Sequence, residues 1–362
     1  MMFLRDVGLC ALWAGIVTAN QSCGSPDVHV DVAIIGGGSG GIHAAIQLKD
    51  AGASVLVVEK KDRIGGHAET YVNPETGVSA NVGVVVFENR DIVHQYFDRL
   101  GVPYSVSIPN FGGGPSATYD FSTGVKVPPA TPAQAQQQQK AVQDAVQAYS
   151  ENVLSKYPWI DDGFLVPNPI PDELYMPFGE LAHKYNFTAL MPSMWSYNWY
   201  AGNITTLPSL YGIKNFGPGL LNSSATGFVR PKSGVTTSLY DAAAKDLGSS
   251  VLLSSTVHSV DRQSRSGGVT LVVSQPNKPP QKIYAKKLLV AIPPTLTNVG
   301  KYDLSKNEQN LFSKFNALAY FAGVCHVPGF NASLHNFGIN TPFNQPIAPG
   351  NNGSLQHRRH HH

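Results

Sequence analysis

Gly36, Gly38 and Gly41 stand at the spacing Gly-x-Gly-x-x-Gly within the run GGGSGG, with Ser39 and Gly40 between the last two. Glycines spaced this way suit a chain that turns from a strand into a helix around a pyrophosphate. The first permits the tight turn, the second keeps a Cβ out of the phosphates' path, and the third lets the helix pack close. The first-turn N–H groups of such a helix have no intrahelical acceptor, so with the helix dipole they face the anion. Farther on, Glu59 follows a short apolar run. A carboxylate there accepts hydrogen bonds from the ribose hydroxyls of adenosine and repels a 2′-phosphate, which favours FAD or NAD over NADP.

These residues need a β-α-β unit to hold them, and the surrounding sequence supplies one. Residues 29–35 (HVDVAII) form an apolar strand that runs into the glycines. Ile42, Ala45, Ile46 and Lys49 recur at helical spacing to Asp50, Gly52 ends the helix, and residues 54–58 make a second apolar strand. Uninterrupted apolar strands belong in a buried parallel sheet. After about Pro231 the α/β character returns. A helix is expected at 236–247 and strands at 251–253 and 257–262. A hairpin pair follows at 269–274 and 282–284, then one more strand at 288–292, stopped by Pro293 and Pro294.

Residues 59–70 (EKKDRIGGHAET) resemble the pattern E-x-x-x-R-x-G-G-x-x-x-[ST] of flavoproteins in the amine oxidase and glutathione-reductase-type superfamily, with Arg63, Gly65, Gly66 and Thr70 at its fixed positions. The resemblance implies FAD as cofactor and a second glycine loop that closes on its pyrophosphate and flavin side. On that footing Lys60, Lys61, Arg63, Gly65, Gly66 and His67 join Gly36, Gly38, Ser39, Gly40, Gly41 and Glu59 as expected cofactor contacts. Further stretches are similar to the fungal β-cyclopiazonate dehydrogenase-like FAD oxidoreductases. Residues 80–102 (ANVGVVVFENRDIVHQYFDRLGV) are similar to the segment whose backbone lies beside the isoalloxazine ring, implicating Gly83, Val84 and Val85. Residues 254–262 (SSTVHSVDR) look like the strand whose valine backbone meets adenine, here Val257. LYGIKNFGP at 210–218 and LLVAIPP at 288–294 are also similar.

The resemblance implies a Rossmann-like FAD/NAD(P)-binding α/β fold of the glutathione-reductase type, interrupted by an α+β substrate domain. Expected bounds are a signal peptide at 1–19, FAD-binding parts at 29–105 and 231–299, a substrate domain at 106–230, and a partial substrate domain with a tail at 300–362. The chemistry implied is hydride transfer to flavin from a C–H or C–N bond of a small amine or secondary metabolite. Two departures stand out. His67 replaces the arginine that many amine oxidases carry after the glycine pair, and is expected to hydrogen-bond rather than to hold flavin covalently. No Gly-Asp turn of the kind that closes the flavin site follows Pro294. A non-catalytic remnant with weak or no FAD binding is therefore the alternative.

Catalytic residues cannot be picked by type. His183, His258, His326 and His335 are candidates without a distinguishing context. Gly112 to Gly114 lack the Lys and Ser/Thr of a phosphate-binding P-loop, and no G-x-S-x-G occurs. No metal site is expected, since His360 to His362 sit in a tail with no scaffold to fix their geometry.

The 362 residues carry 26 Lys plus Arg against 24 Asp plus Glu, so no strong field points to nucleic acid or an anionic membrane. An apolar run at 7–17 ending in Val17-Thr18-Ala19 fits a signal peptide and is too short to span a bilayer. Six N-x-[ST] sequons, at Asn20, Asn186, Asn203, Asn222, Asn331 and Asn352, agree with export. Cys23 and Cys325 either pair or stay free. Thr131 as N-cap and Pro132 as first residue start a helix expected over 132–156, its inner face carrying Val142, Ala145, Val146, Tyr149, Val153 and Leu154. The aromatic stretch holding Trp159, Trp195, Tyr197, Trp199, Tyr200 and Tyr211 is either a second core or the wall of a substrate pocket.

Overall fold

The computed structural model describes residues 28–109, 115–163, 166–198, 203–263, 267–316, 322–325 and 332–346. The expected leader at 1–19, Cys23, Trp199, Tyr200, His326, the outer sequons at Asn20, Asn331 and Asn352, and the histidine tail lie outside these residues.

The chain begins with β1 (Val28–Ile35), α1 (Ser39–Asp50) and β2 (Val55–Val58). Ile34, Val55 and Val57 are buried on one face of the sheet, while Ala33, Ile35, Leu56 and Val58 are buried on the other. Two covered faces explain why these strands are continuous apolar runs instead of alternating ones. Helix α1 covers the first face with Ile42, Ala45 and Ile46. Lys49, at the same helical spacing, reaches outward to pair with Asp246 at 3.0 Å. A hairpin follows, β3 (Ala68–Val72) and β4 (Ser79–Gly83), then α2 (Asp91–Arg99) and β5 (Tyr104–Ser107).

The middle of the chain holds β6 (Ser116–Asp120), β7 (Val125–Val127), α3 (Pro132–Asn152), α4 (Phe178–Lys184), α5 (Met191–Asn198), α6 (Ser209–Asn215), α7 (Pro218–Thr226) and β8 (Phe228–Pro231). Helix α3 starts where its sequence says. Thr131 accepts from the Gln134 N–H, and the Gln134 side chain accepts from Thr131 N–H in return. Such a cap contributes about 1 kcal/mol. The α-helix ends at Asn152 and tightens into a 3₁₀ turn at Leu154–Lys156, so the last expected turn is not α-helical. Tyr149, Phe178, Phe187, Phe216 and Trp195 form the heart of one hydrophobic cluster, with Trp159 and Tyr197 packed at its margin; Tyr211 is exposed. Most of the described aromatic stretch is thus core.

Then come α8 (Ser238–Leu247), β9 (Val251–Leu252), β10 (Thr256–Asp261), β11 (Val269–Ser274), β12 (Gln281–Val290), α9 (Leu296–Val299), α10 (Lys306–Phe312) and β13 (Ser333–Asn336). The main sheet has the order β10-β11-β12-β1-β2-β9. Strands β12, β1, β2 and β9 are parallel, and β11 and β10 continue antiparallel. The separate strands expected at 282–284 and 288–292 are a single strand, β12. Lys286 and Lys287 look like a break but contain no turn residue; both face solvent, and Lys286 pairs with Asp31 at 2.6 Å. Helices α1, α2 and α8 cover one face of this sheet, while residues of β10, β11 and β12 pack with the other. Arg99 ties the three helices together by pairing with Asp50 at 2.6 Å and Asp246 at 3.1 Å. This is the Rossmann-like α/β arrangement expected from the sequence. Strands β5 and β8 pair where the chain leaves and rejoins it, and β13 returns to pair with β6. Among the described residues no helix is long and apolar enough to cross a membrane.

Candidate functional site

Strand β1 ends at Ile35 and the chain turns at Gly36, whose φ of +108° is a conformation L side chains rarely adopt. A Cβ there would also meet Ile292 at 2.7 Å and the Ala291 carbonyl oxygen at 2.8 Å. At Gly37 it would meet Glu59 Cβ at 2.9 Å, and at Gly41 it would run into the Gly36 carbonyl. These three positions are glycine because the fold itself needs them. Gly38 and Gly40 differ. Gly38 has ordinary backbone angles, φ −73° and ψ −179°, and the nearest atom to a Cβ is Gly66 Cα at 4.0 Å. Around a Cβ at Gly40 there is nothing within 4 Å. Open space therefore lies in front of the first turn of α1.

Glu59 fastens this turn from behind. It is 7% exposed; Oε2 accepts the Gly37 N–H at 2.6 Å and Oε1 the Lys61 N–H at 2.7 Å. Its carbonyl accepts the Ser255 N–H at 2.8 Å, and that of Lys61 accepts the Ser254 N–H at 2.8 Å. Strand β10 is thereby led past the end of β2. Val257 lies two residues into that approach, partly buried beside a register shift in its pairing with β11. A carboxylate has about four acceptor sites, so two backbone donors leave room for a ribose hydroxyl.

The second glycine loop lies directly against the first. Gly65 N–H donates to Gly37 O at 2.8 Å, and a Cβ on Gly66 would come within 3.1 Å of Gly38 Cα. Arg63 donates to the carbonyls of Ala68 at 3.0 Å and Ile64 at 3.3 Å and pairs with Glu69. Lys61 donates to Gly66 O at 3.3 Å and to Glu69 at 2.8 Å. The Lys61 hydrogen bond, with the charges of Arg63 and Lys61, holds the Glu69 carboxyl below its usual range. Lys61 and Arg63 shape the loop by binding its carbonyls. Lys60 and His67 are exposed at its rim. The His67 carbonyl accepts the Val84 N–H at 3.3 Å, and Ala68 pairs with Gly83, which brings Gly83 and Val84 beside the loop with Val85 next in line.

Thr70, marked by the sequence pattern, has partners that sequence reasoning did not foresee, and Tyr240 was not foreseen at all as part of the site. Thr70 Oγ1 donates to Asn81 Oδ1 at 2.8 Å and sits 3.3 Å from Thr237 Oγ1, tying the β3–β4 hairpin to the start of α8. Tyr240 on α8 bonds Ser39 at 2.7 Å and packs against Gly65. Its signal was a lone phenol on an otherwise apolar helix face with Leu239, Ala243 and Leu247, since a buried tyrosine hydroxyl usually has a partner. Beyond β4, burial and the charge of Asp161 push the Glu88 carboxyl up, with Arg90 3.7 Å away. The described candidate histidines lie on three different elements. His183 is exposed on α4, His258 is exposed with Nε2 2.6 Å from Ser274 Oγ, and His335 lies on β13. Among the described residues no His, Cys, Asp and Glu group could hold a metal.

A strand, a glycine turn with two glycines the fold does not require, and a second glycine loop docked on it define a dinucleotide site of the flavoprotein kind. Residues 39–299 match the family model described as flavin containing amine oxidoreductase, and the chain belongs to that family. It is 54% identical over 344 residues to the FAD-dependent oxidoreductase dpchF of Colletotrichum higginsianum, covering 94% of this chain and 72% of that protein. Beta-cyclopiazonate dehydrogenase of Aspergillus oryzae is 33% identical over 340 residues, 93% of this chain and 71% of that one. The fold is shared with putrescine oxidase bound to putrescine, at TM-score 0.57 and 19% identity, and with a CLA-producing fatty acid isomerase from P. acnes, at 0.60 and 20%. Each of those comparisons covers 79% of this chain and 64% of the other.

Proposed function

We propose that this chain is an FAD-dependent oxidoreductase that takes a hydride from a C–H bond of a small amine or secondary metabolite, in an amine the C–H beside the nitrogen, so that the C–N bond is oxidised. The observation that carries the cofactor assignment is the pair Gly38 and Gly40, glycines at which the folded protein itself has room for a side chain. Bound there, FAD supplies hydride acceptance and the later reoxidation. The chain's part is to hold the pyrophosphate on the first-turn N–H groups of α1, the adenosine ribose on Glu59, and the flavin end beside Gly83, Val84 and Val85. The substrate class follows the names of the relatives, which include a dehydrogenase of a fungal metabolite and an oxidase of a diamine. The purified protein should show a bound-flavin absorption spectrum, or acquire one on adding FAD, at near-stoichiometric content. A colourless protein that takes up no FAD would refute the reading.

The same proposal has the protein exported by the secretory route, on the strength of the apolar N-terminal run and the sequons. The described sequons differ in their fitness to carry carbohydrate. Asn186 is exposed on the turn after α4, with φ +56°, and Asn222 is exposed on α7. Asn203 is only half exposed, and its side chain is held against the protein, its amide oxygen accepting from Thr205 N–H at 2.9 Å, Thr205 Oγ1 at 2.6 Å and Gln345 Nε2 at 2.6 Å. Made in a eukaryotic host with its own N-terminus, the protein should reach the medium with mass that an endoglycosidase removes. Asn186→Gln should reduce that mass and Asn203→Gln should not. Accumulation in the cytosol would count against export.

A further inference from the structure

Tyr240 belongs to α8, a long way along the chain from either glycine loop, yet it touches both. Its side chain is 2% exposed, enclosed in the cluster with Ile42, Ala45, Ile46 and Tyr96. The ring lies where a Cβ on Gly65 would come within 2.9 Å of it, so it props the second loop from beneath. The hydroxyl reaches on to Ser39 Oγ at 2.7 Å, in the first turn of α1. Ser39, by contrast, is exposed toward the open side of that turn.

The direction of this hydrogen bond follows from burial. A buried phenol has one proton to place, and Ser39 Oγ is within its reach; a serine hydroxyl can accept that proton and still donate its own. A tyrosine phenol is protonated at physiological pH, and burial pushes its pKa further up. The Ser39 proton is then free for an acceptor in front of α1. In the reverse orientation Tyr240 would be left with a buried proton that has no acceptor.

We propose that Tyr240 is a positioning residue for the dinucleotide: its phenol accepts no proton but donates to Ser39 Oγ, turning the Ser39 hydroxyl into a donor for a pyrophosphate oxygen, while its ring holds the Gly65–Gly66 loop against Gly37 and Gly38. The inference rests on the FAD reading above and adds a residue, and a reason for Ser39, that the glycine motif does not contain. It also assigns α8 a role beyond covering the sheet.

A double-mutant cycle on the full chain, read by titration of FAD, ADP and riboflavin, tests this. Tyr240→Phe keeps the ring and loses the hydroxyl. It should weaken FAD and ADP binding, each on the order of 5- to 10-fold, and leave riboflavin binding unchanged because riboflavin lacks the pyrophosphate. Ser39→Ala should do the same, the double variant should be no weaker than either single one, and Ser39→Thr should restore affinity. Tyr240→Leu, which also removes the prop, should lose on the order of 100-fold. Additive losses, or equal losses for riboflavin, would overturn the proposal and make Tyr240 an ordinary core residue. Tight FAD binding by all variants would overturn it while sparing the FAD reading; a wild-type protein that binds no FAD would remove both.

Discussion

Gly38→Val should give a protein that folds like the wild type and retains no flavin. The native angles at Gly38 are open to any residue, and no protein atom lies closer than 4.0 Å to an added Cβ. The folding cost is limited to a poorer helix N-cap, about 1 kcal/mol, or a fall in melting temperature of roughly 1–2 °C for a chain of this size. The side chain would stand where the pyrophosphate approaches. We expect FAD affinity to fall at least ~100-fold, about 2.7 kcal/mol. Gly41→Val is the informative partner, because its Cβ runs into the Gly36 carbonyl and should prevent folding before ligand enters the question. Absorbance of the purified variants and their thermal melts separate the two effects. A Gly38→Val protein that keeps stoichiometric FAD would move the site elsewhere.

Glu59→Ala should behave in the opposite way, with its largest effect on the protein alone. Two backbone N–H groups, of Gly37 and Lys61, depend on this buried carboxylate. Each unpaired donor in such a place costs about 1–3 kcal/mol, so the loss is roughly 2–6 kcal/mol out of the ~5–15 kcal/mol that a typical domain has. Glu59→Gln should recover only part of it, since one amide oxygen can serve one donor while the NH₂ group faces the other. Denaturant titration without FAD measures this directly. A Glu59→Ala midpoint equal to wild type would show that the two hydrogen bonds do not hold the turn.

How much of this could be read from the sequence depended on how local the determinants were. The glycine turn, α1 and the carboxylate after β2 lie within one short stretch, and each carries a mark of its own: missing side chains, 3.6-residue periodicity, an acid closing an apolar run. Thr131 and Pro132 announced the start of α3 for the same reason, both marks lying within its first turn. Helices α4, α6 and α7 left weaker marks. They have seven to nine residues and start beside Pro177, Pro208 and Pro218, so none shows a full apolar period. The hairpin β3–β4 is largely half-buried or exposed and lacks the alternation of a covered strand. Strand β12 was legible as apolar but not as one piece, because solvent-facing lysines interrupt the run. Tyr240 was legible only as a phenol in need of a partner, not as a contact of either glycine loop. A residue on α8 gives no local hint that its partner is in the first turn of α1, and only the closed sheet brings them together.

Strand β1 lies between β2, its near neighbour in the chain, and β12, the last strand of the sheet to be synthesised. At ~5–20 residues per second, ribosomal synthesis separates β1 from β12 by on the order of 10–50 s. For that interval the nascent chain carries an apolar strand with one unpaired edge, a template for pairing with other chains. The glycine turn is incomplete through the same interval, since Ala291 and Ile292, which wall in Gly36, leave the ribosome just after β12. Cofactor capture therefore waits until β12 and the two residues after it have been made, and until then the first strand of the sheet has to be kept from pairing with strangers.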